Sequence, residues 1–240
     1  MVRFIAISLL LTLLIFSGCS STSEYGEAPY EPIIISHTRY VEPGERAIFS
    51  LIVPEDPDGD SEIWIKIEDD FGNETYWYGP EQPDYNIHLY LTYDNPSNYT
   101  GFVSEVHAYA KDKDDNISEA SDPVEVAVAH TDSWNYNVSL SGGQYWYVEF
   151  SLYKNGKVYL SVNVTDGSSV DVYLINPDGN TVDYKENTYS YEILYVVGNS
   201  ESQGRYRLEL DKTSGNADIQ VNLSITQYPP EANLPSDWWQ

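Results

Sequence analysis

The sequence predicts an all-β protein built from two tandem β-sandwich domains that follow an N-terminal leader. Three observations predict it. Apolar side chains recur at every second position through many short segments, Gly, Pro, Asn and Asp mark turns between these segments, and one short apolar run precedes them all. At 240 residues the chain has room for two ordinary domains.

The leader occupies residues 1–18, with Arg3 as its positive charge and an apolar run over residues 4–16. This run is shorter than the ~20 apolar residues that a membrane-spanning helix needs, and its length is typical of a signal peptide. The run ends in the sequence FSGC, and Cys19 is the only Cys in the chain, so no internal disulfide can form. A plain signal peptide or a short uncleaved anchor is the alternative interpretation.

The sequence FSGC resembles the lipobox of prokaryotic lipoproteins, in which small residues precede a lipidated Cys. The resemblance implies that residues 1–18 are removed and that Cys19 carries the lipid. It also implies that the protein is exported and anchored to the outer side of the cell membrane. Two acyl chains are enough to hold a folded domain at a membrane. Residues 19–29 are small and polar, and we expect a flexible tether.

The first domain is predicted over residues 30–130, with seven strands separated by turns. The strands are expected at 33–40, 47–53, 62–68, 75–78, 85–93, 101–110 and 124–129. This arrangement resembles the immunoglobulin-like class, which includes fibronectin type III domains. Residues 107–118 (HAYAKDKDDNIS) are similar to a hairpin of bacterial and archaeal Ig-like domains, with Asp115 where that hairpin carries Gly.

The second domain is predicted over residues 133–228, where the alternation is cleaner and implies two sheets that close on each other. Its order of segments resembles the pre-peptidase C-terminal domain and the related GOLD-type sandwich. The matching segments are 144–150, 156–164, 170–174 and 204–208. The resemblance implies an accessory role in binding or protein contact. Residues 229–240 form a tail rich in Pro and Trp, which we expect to pack on the second domain or to serve a partner.

The charge excludes two classes of partner. With 12 Lys+Arg against 38 Asp+Glu, the formal net charge is −26. Nucleic acids and anionic lipid headgroups are also negative, so neither is an expected partner. A solvated acidic surface is the simplest explanation of this composition, and divalent cations are compatible with it.

Two acidic loops are candidates for calcium binding. Oxygen ligands surround calcium from tight turns, and in an Ig-like domain these two loops lie at the same pole. The candidate ligands are Asp56, Asp58, Asp60, Asp112, Asp114 and Asp115. The first loop is not an EF-hand, since Ile67 stands at its twelfth position. Solvated turns are the alternative.

Outward aromatic residues are the candidate ligand-binding site. Tyr and Trp side chains can stack on sugars or anchor protein partners, although Tyr-rich strands also arise from ordinary cross-strand packing. The candidates are Trp64, Tyr76, Tyr78 and Tyr90. The expected ligand is a glycan or an envelope protein.

The sequence does not predict an enzyme. The four His residues have no metal-ligand spacing, and no nucleophile elbow or phosphate-binding motif occurs. We expect a non-catalytic surface protein used for binding, adhesion or structure. An accessory subunit of a membrane-bound protease, transporter or envelope complex is the alternative, and a hydrolase using two surface carboxylates is the least favoured.

Six glycosylation sequons are present, each with Ser or Thr two residues after the Asn. They are Asn73, Asn98, Asn116, Asn137, Asn163 and Asn222. Together with a lipobox, such a set would suit an archaeal surface glycoprotein. Because sequons also arise by chance in chains rich in Asn, Ser and Thr, unused sequons are the alternative.

Overall fold

A computed structural model describes residues 26–239 of the chain. The predicted signal peptide, Cys19 and the tether up to residue 25 lie outside the described residues. All regular elements of the described part are β-strands, sixteen in number, which confirms the predicted all-β class. No helix in residues 26–239 is long and apolar enough to cross a membrane.

The first domain contains eight strands in two sheets. They are β1 (Ile33–Ser36), β2 (Tyr40–Val41), β3 (Arg46–Ile52), β4 (Ile63–Asp69), β5 (Tyr78–Glu81), β6 (Asn86–Thr92), β7 (Phe102–Lys111) and β8 (Val124–Val128). One sheet has the order β1-β3-β6 and the other the order β2-β8-β7-β4-β5. The two sheets enclose one apolar core.

Two predicted strands of the first domain differ from the structure. The segment expected as one strand over 33–40 is split, because β1 pairs with β3 in one sheet whereas β2 pairs in parallel with β8 in the other. The strand expected at 75–78 begins only at Tyr78. The chain before Tyr78 has no regular strand structure, and the amide of Thr75 donates to the Ile67 carbonyl.

Alternating side chains fill the first core as predicted. Ile63, Ile65 and Ile67 are fully buried, and so are the inward residues of the facing sheet, such as Phe49 and Leu51. Between them, outward residues of β6 such as Tyr90 stay exposed. A period of two therefore gives each sheet one dry and one wet face.

The second domain also contains eight strands in two sheets. They are β9 (His130–Ser141), β10 (Gln144–Leu152), β11 (Gly156–Val164), β12 (Val170–Ile175), β13 (Thr181–Thr188), β14 (Ser190–Val197), β15 (Gly204–Lys212) and β16 (Asn216–Gln227). The sheet orders are β10-β15-β12-β13 and β14-β11-β16-β9. Consecutive strands β9 and β10 join the two sheets at one edge of the sandwich, since they lie in different sheets.

No flexible linker separates the two domains. Strand β8 ends at Val128 and β9 begins at His130, so the fully buried Ala129 is the only residue between them. Gly101 approaches this junction so closely that a Cβ on it would lie 2.2 Å from the Val128 carbonyl oxygen. The positive φ of 70° at Gly101 adds a second reason for glycine there.

The C-terminal tail packs against the junction. Tyr228, Ala232 and Trp238 are buried and form one apolar cluster with Ala127 and Ala129. The side-chain amide of Asn155 holds the tail by donating to the carbonyls of Pro229 and Ala232, both at 2.9 Å. The expectation that the tail packs on the second domain is met, but the tail also contacts the first domain.

Polar contacts cross the same junction. Lys157 of the second domain lies 2.6 Å from a carboxylate oxygen of Glu42 in the first. The hydroxyl of Tyr99 donates to the Ser151 carbonyl. The Asn95 side chain donates to the Thr131 carbonyl at 2.7 Å and accepts from its amide at 2.9 Å. These bonds fix the orientation of one sandwich relative to the other.

Truncating Trp238 to Ala should destabilise the protein. Trp238 is 7 % exposed, and removing a buried indole typically costs about 3–5 kcal/mol. The free energy of unfolding, measured by urea titration with far-UV circular dichroism, should fall by about this amount. W134A is the matched control, because Trp134 is 37 % exposed and should cost about 1 kcal/mol. Equal losses in the two variants would contradict a structural role for the tail.

Stability should fall at alkaline pH. Burial, together with the nearby Asp132, raises the pKa of Tyr99 to about 12, and burial also raises the pKa of Tyr228. An unfolded Tyr ionises at a pH of about 10, so these two tyrosines contribute their full stabilisation below that pH. Their contribution is lost as the pH rises from about 10 towards 12. Urea midpoints measured from pH 8 to pH 12 test this. Y99F should make the urea midpoint fall less steeply with pH. A midpoint of the unaltered protein that stays constant up to pH 11 would contradict the expected loss of stability.

Candidate functional site

The two acidic loops predicted to bind calcium lie at one pole of the first domain. Lys113 of the second loop contacts Asp60 of the first, with 2.5 Å between Nζ and Oδ1. This contact, together with the neighbouring acids Asp112 and Asp114, raises the pKa of Lys113. The repulsion between the loops is therefore relieved in part by a lysine of the protein itself.

The buried carboxylates of these loops organise their own backbones. Oδ1 of Asp56 accepts from the amides of Asp58 at 2.8 Å and Asp60 at 3.4 Å. Oδ1 of Asp112 accepts from the amides of Asp114 at 2.8 Å and Asn116 at 2.9 Å. In both loops the carboxylate satisfies amides that would otherwise lack a partner.

The same loop structure occurs four times within residues 26–239. A buried or half-buried Asx side chain accepts from the amides two and four residues later, and the residue three positions later has a positive φ. The four pairs of acceptor and positive-φ residue are Asp56 with Gly59, Asp69 with Gly72, Asp112 with Asp115, and Asn176 with Gly179. The acidic motifs thus take the form of a recurrent turn that is held by hydrogen bonds from backbone amides.

The calcium prediction gains no support from this geometry. Among residues 26–239, no three His, Cys, Asp or Glu side chains are grouped so that they could hold a metal ion. Asp115 instead pairs with Lys111 at 2.7 Å. Asp58 accepts from the Glu27 amide at 2.5 Å. Oδ2 of Asp56 is buried without a hydrogen-bond partner.

Replacing Asp115 by Gly should stabilise the first domain. Asp115 has a φ of 65°, whereas Gly occupies the equivalent position in the other three loops. Gly adopts this conformation without strain, and the exposed ion pair with Lys111 contributes little, so we expect a gain of up to about 1 kcal/mol. Thermal melting measures it. D114G is the control, since Asp114 has no positive φ, and a stabilisation there as large as in D115G would refute the explanation.

One aromatic surface lies on the outer face of the five-stranded sheet. Trp64 on β4, Trp77 before β5 and Tyr109 on β7 lie around two lysines. Nζ of Lys111 lies 5.8 Å from the Trp64 ring and 5.3 Å from the Trp77 ring. Lys66 lies 5.8 Å from the Trp77 ring and 5.7 Å from the Tyr109 ring. Hydrogen bonds to Glu68 and Glu74 raise the pKa of Lys66. We call these five residues the Trp–Lys surface.

The other predicted aromatic candidates do not join the Trp–Lys surface. Tyr78 pairs in register with the inward Ile65, and Tyr76 is almost fully exposed beside the strand. Tyr90 lies on β6 in the opposite sheet, with the guanidinium of Arg46 4.2 Å above its ring. Sequence reasoning missed Trp77 because the strand was placed three residues too early, which assigned Trp77 to the wrong face.

A second aromatic surface lies on the outer face of the sheet β10-β15-β12-β13. Tyr145 and Tyr147 are nearly parallel, with 6.3 Å between ring centroids and 17° between planes. Tyr173 and Tyr184 repeat this relation at 6.4 Å and 14°. We call these four residues the tyrosine surface. Tyr145 and Tyr147 lie two residues apart on β10, and the strand order brings Tyr173 and Tyr184 to the same face.

The predicted sequons fall into two structural groups. The side-chain amides of Asn73 and Asn116 donate to Asp69 and Asp112 within the recurrent turn, whereas Asn98 is exposed in a loop. Asn137, Asn163 and Asn222 are exposed on the outer face of the sheet β14-β11-β16-β9. In that sheet Gln220 is the register partner of both Asn163 and Asn137. We call Asn137, Asn163, Gln220 and Asn222 the amide surface.

Cavities follow the C-terminal tail where it crosses the junction. One of about 440 Å³ is lined by apolar residues such as Ile34 and Leu234, together with Arg39 and Glu125. A neighbouring cavity of about 620 Å³ contains four acidic side chains, which are Asp70, Glu105, Glu125 and Glu231. These four carboxylates are exposed, so the cavity offers a negative surface.

Comparisons with known proteins give no family. No protein-family model matches the chain, and no curated protein matches it. Among solved structures, the chain is similar to the PKD domain of an M14-like peptidase from Thermoplasmatales archaeon SCGC AB-540-F20. The identity is 24 %, with 42 % of this chain and 96 % of that domain covered, and the TM-score is 0.35.

Two further solved structures show similar levels of likeness. The periplasmic inhibitor of g-type lysozyme from Aeromonas hydrophila is 12 % identical over 39 % of this chain and 85 % of its own, with a TM-score of 0.30. The C-terminal domain of the antigen I/II-family protein AspA from Streptococcus pyogenes is 10 % identical over 83 % and 91 %, with a TM-score of 0.32. Because these scores are low, no functional argument depends on them.

Proposed function

We propose that the protein is a non-catalytic binding protein displayed outside the cytoplasm, held at the membrane by a lipid on Cys19. Its ligand would be a glycan or an envelope protein, contacted through outer sheet faces. The observation that supports this most is the presence of aromatic side chains on the outer faces of both sandwiches, where they do not contribute to either core. Exposed aromatic residues of this kind are typical of contact surfaces.

Several features of the chain agree with a contact protein. Two closed cores hold most of its buried apolar residues, and Oδ1 of both Asp56 and Asp112 in the acidic loops accepts from backbone amides. The resemblance of the second domain to pre-peptidase C-terminal and GOLD-type sandwiches, and of the first to Ig-like domains, also implies an accessory role. Binding without catalysis needs only rigid faces, which this fold supplies.

An accessory subunit of a membrane-bound envelope complex is the second candidate. The observation that favours it is the pair of cavities along the tail, which combine apolar residues with exposed carboxylates from the first domain and from the tail. Such a surface fits a protein segment that carries apolar and basic side chains. Capture of one stoichiometric envelope protein after cross-linking would favour this candidate over a glycan-binding protein.

Truncation of the Trp–Lys surface tests the leading proposal. W64A should weaken capture of the protein's ligand on isolated cell envelopes by at least about fivefold, since a central aromatic contact is worth more than about 1 kcal/mol. Co-sedimentation of the full-length chain with envelopes provides the measurement. Y159A is the control, because Tyr159 is exposed on the second domain away from both aromatic surfaces. Unchanged capture by W64A would count against this surface.

A further inference from the structure

The tyrosine surface lies in a row across four strands, with Glu209 of β15 between Tyr147 and Tyr173. Tyr147 of β10 is the register partner of Glu209 of β15. Glu209 is in turn the partner of Tyr173 of β12, which is the partner of Tyr184 of β13. Because neighbouring strands are about 4.8 Å apart, the row extends over roughly 14 Å of flat sheet. Such a row could contact several units of an extended ligand at once.

Packing within the sheet leaves much of these side chains exposed. Tyr145 is 63 % exposed, Tyr147 is 48 % exposed and Tyr184 is 59 % exposed. On β10, the register partners of the tyrosines are Asp211 and Glu209, and the guanidinium of Arg207 lies 5.5 Å from the centroid of the Tyr147 ring. Aromatic cross-strand pairing would stabilise the sheet only where rings meet, as Tyr173 and Tyr184 do.

The charges around the row select against an anionic ligand. Arg205 pairs with Glu149, and Arg207 pairs with Glu209. Asp171 and Asp211 then face each other directly in the register of β12 and β15. Neither Arg205 nor Arg207 pairs with Asp171 or Asp211. These two carboxylates would therefore repel an anion placed on the row. The pKa of Tyr173 is raised by burial and by these carboxylates, so its hydroxyl keeps its proton.

The chemistry of the row matches a sugar polymer without charge. Exposed Tyr rings can pack against the C–H faces of pyranose rings. Carboxylates and arginines beside them accept and donate hydrogen bonds to hydroxyl groups. A charged-residue rim of this kind also disfavours a purely apolar partner, because desolvating unpaired carboxylates is costly.

The position of the sequons is consistent with this assignment. The sheet that carries the tyrosine surface contains no Asn-x-Ser/Thr sequon in its four strands, whereas the opposite sheet carries three. Glycans attached to the protein itself would therefore leave the tyrosine row uncovered.

We propose that the tyrosine surface binds an uncharged, hydroxyl-rich polysaccharide through the row formed by Tyr147, Tyr173 and Tyr184, with Tyr145 extending it. This inference rests on the proposed function as a binding protein and names the ligand class and the face. The ligand lies across the strands, so that it meets Tyr147, Glu209, Tyr173 and Tyr184 in turn.

Affinity electrophoresis of the full-length chain tests the proposal. The probes are native gels containing β-glucan, xyloglucan, galactomannan, mannan or dextran, with alginate as the anionic comparison. We expect at least one neutral polymer to retard the protein and alginate to have no effect. Y147A and Y184A should each weaken binding by about tenfold, which corresponds to one lost stacking contact of about 1.4 kcal/mol.

Matched variants separate stacking from other effects. Y147F and Y184F keep the aromatic faces and should retain binding, while Y159A on the opposite sheet should behave as the unaltered protein. Melting temperatures within a few degrees of the parent show that each variant is folded. No retardation by any neutral polymer, retardation by alginate alone, or equal retardation of Y147A and the parent would each overturn the proposal.

The same gels distinguish this proposal from the broader one. If W64A abolishes retardation while Y147A and Y184A do not, the protein still binds a glycan, but through the Trp–Lys surface. In that case the proposed function stands and the assignment of the tyrosine surface fails. If no polymer binds and envelopes still capture the chain, the ligand is a protein, and the assignment fails for that reason.

Discussion

Burial of every second side chain is the constraint on which the rest of the structure depends. Once Ile63, Ile65 and Ile67 enter the first core, Trp64 and Lys66 must lie on the outer face of the same strand. The second domain follows the same rule, with Leu208 and Leu210 buried and Arg207 and Glu209 outside. Function is therefore confined to outer faces, loops and the junction between the sandwiches.

The rigid junction adds a second constraint. With a single buried residue between β8 and β9 and the tail packed over both domains, the outer faces of the two sandwiches keep a fixed relation to each other. A ligand that touches both domains would therefore meet a preorganised surface, and little conformational entropy would be lost when it binds. Hydrogen bonds from backbone amides to Asx side chains also make the exposed loops of the acidic pole more rigid.

Sequence reasoning recovered the parts of the fold that depend on local periodicity. The all-β class and the inward residues of each strand follow from alternation alone, because a strand reverses its side chains at every residue. Strand order is not encoded locally, so the split of residues 33–40 between two sheets could not be predicted. The same limit hid the relation of Tyr173 and Tyr184 to Tyr147, which depends on long-range pairing.

The candidate sites show where a motif supports two interpretations. Alternating carboxylates near Asp56 and Asp112 suit calcium and suit an Asx turn equally well. In both loops, Oδ1 of the first Asp accepts from a backbone amide. Trp77 was missed for a different reason, since an error of a few residues in a strand boundary exchanges inner and outer faces. Trp238 belonged to a segment with no period, and only tertiary packing placed it.

If oligosaccharides were attached at the amide surface, copies of the protein would differ in which Asn carries one. Asn163 and Asn137 are separated by the single strand that carries Gln220 and Asn222, and neighbouring strands are about 4.8 Å apart. The three Asn side chains lie within about two strand spacings of one another, so an oligosaccharide built on one of them would hinder access of the transferring enzyme to the others. A population decorated there would consist of positional isomers of nearly equal mass, each shielding a different part of the same sheet.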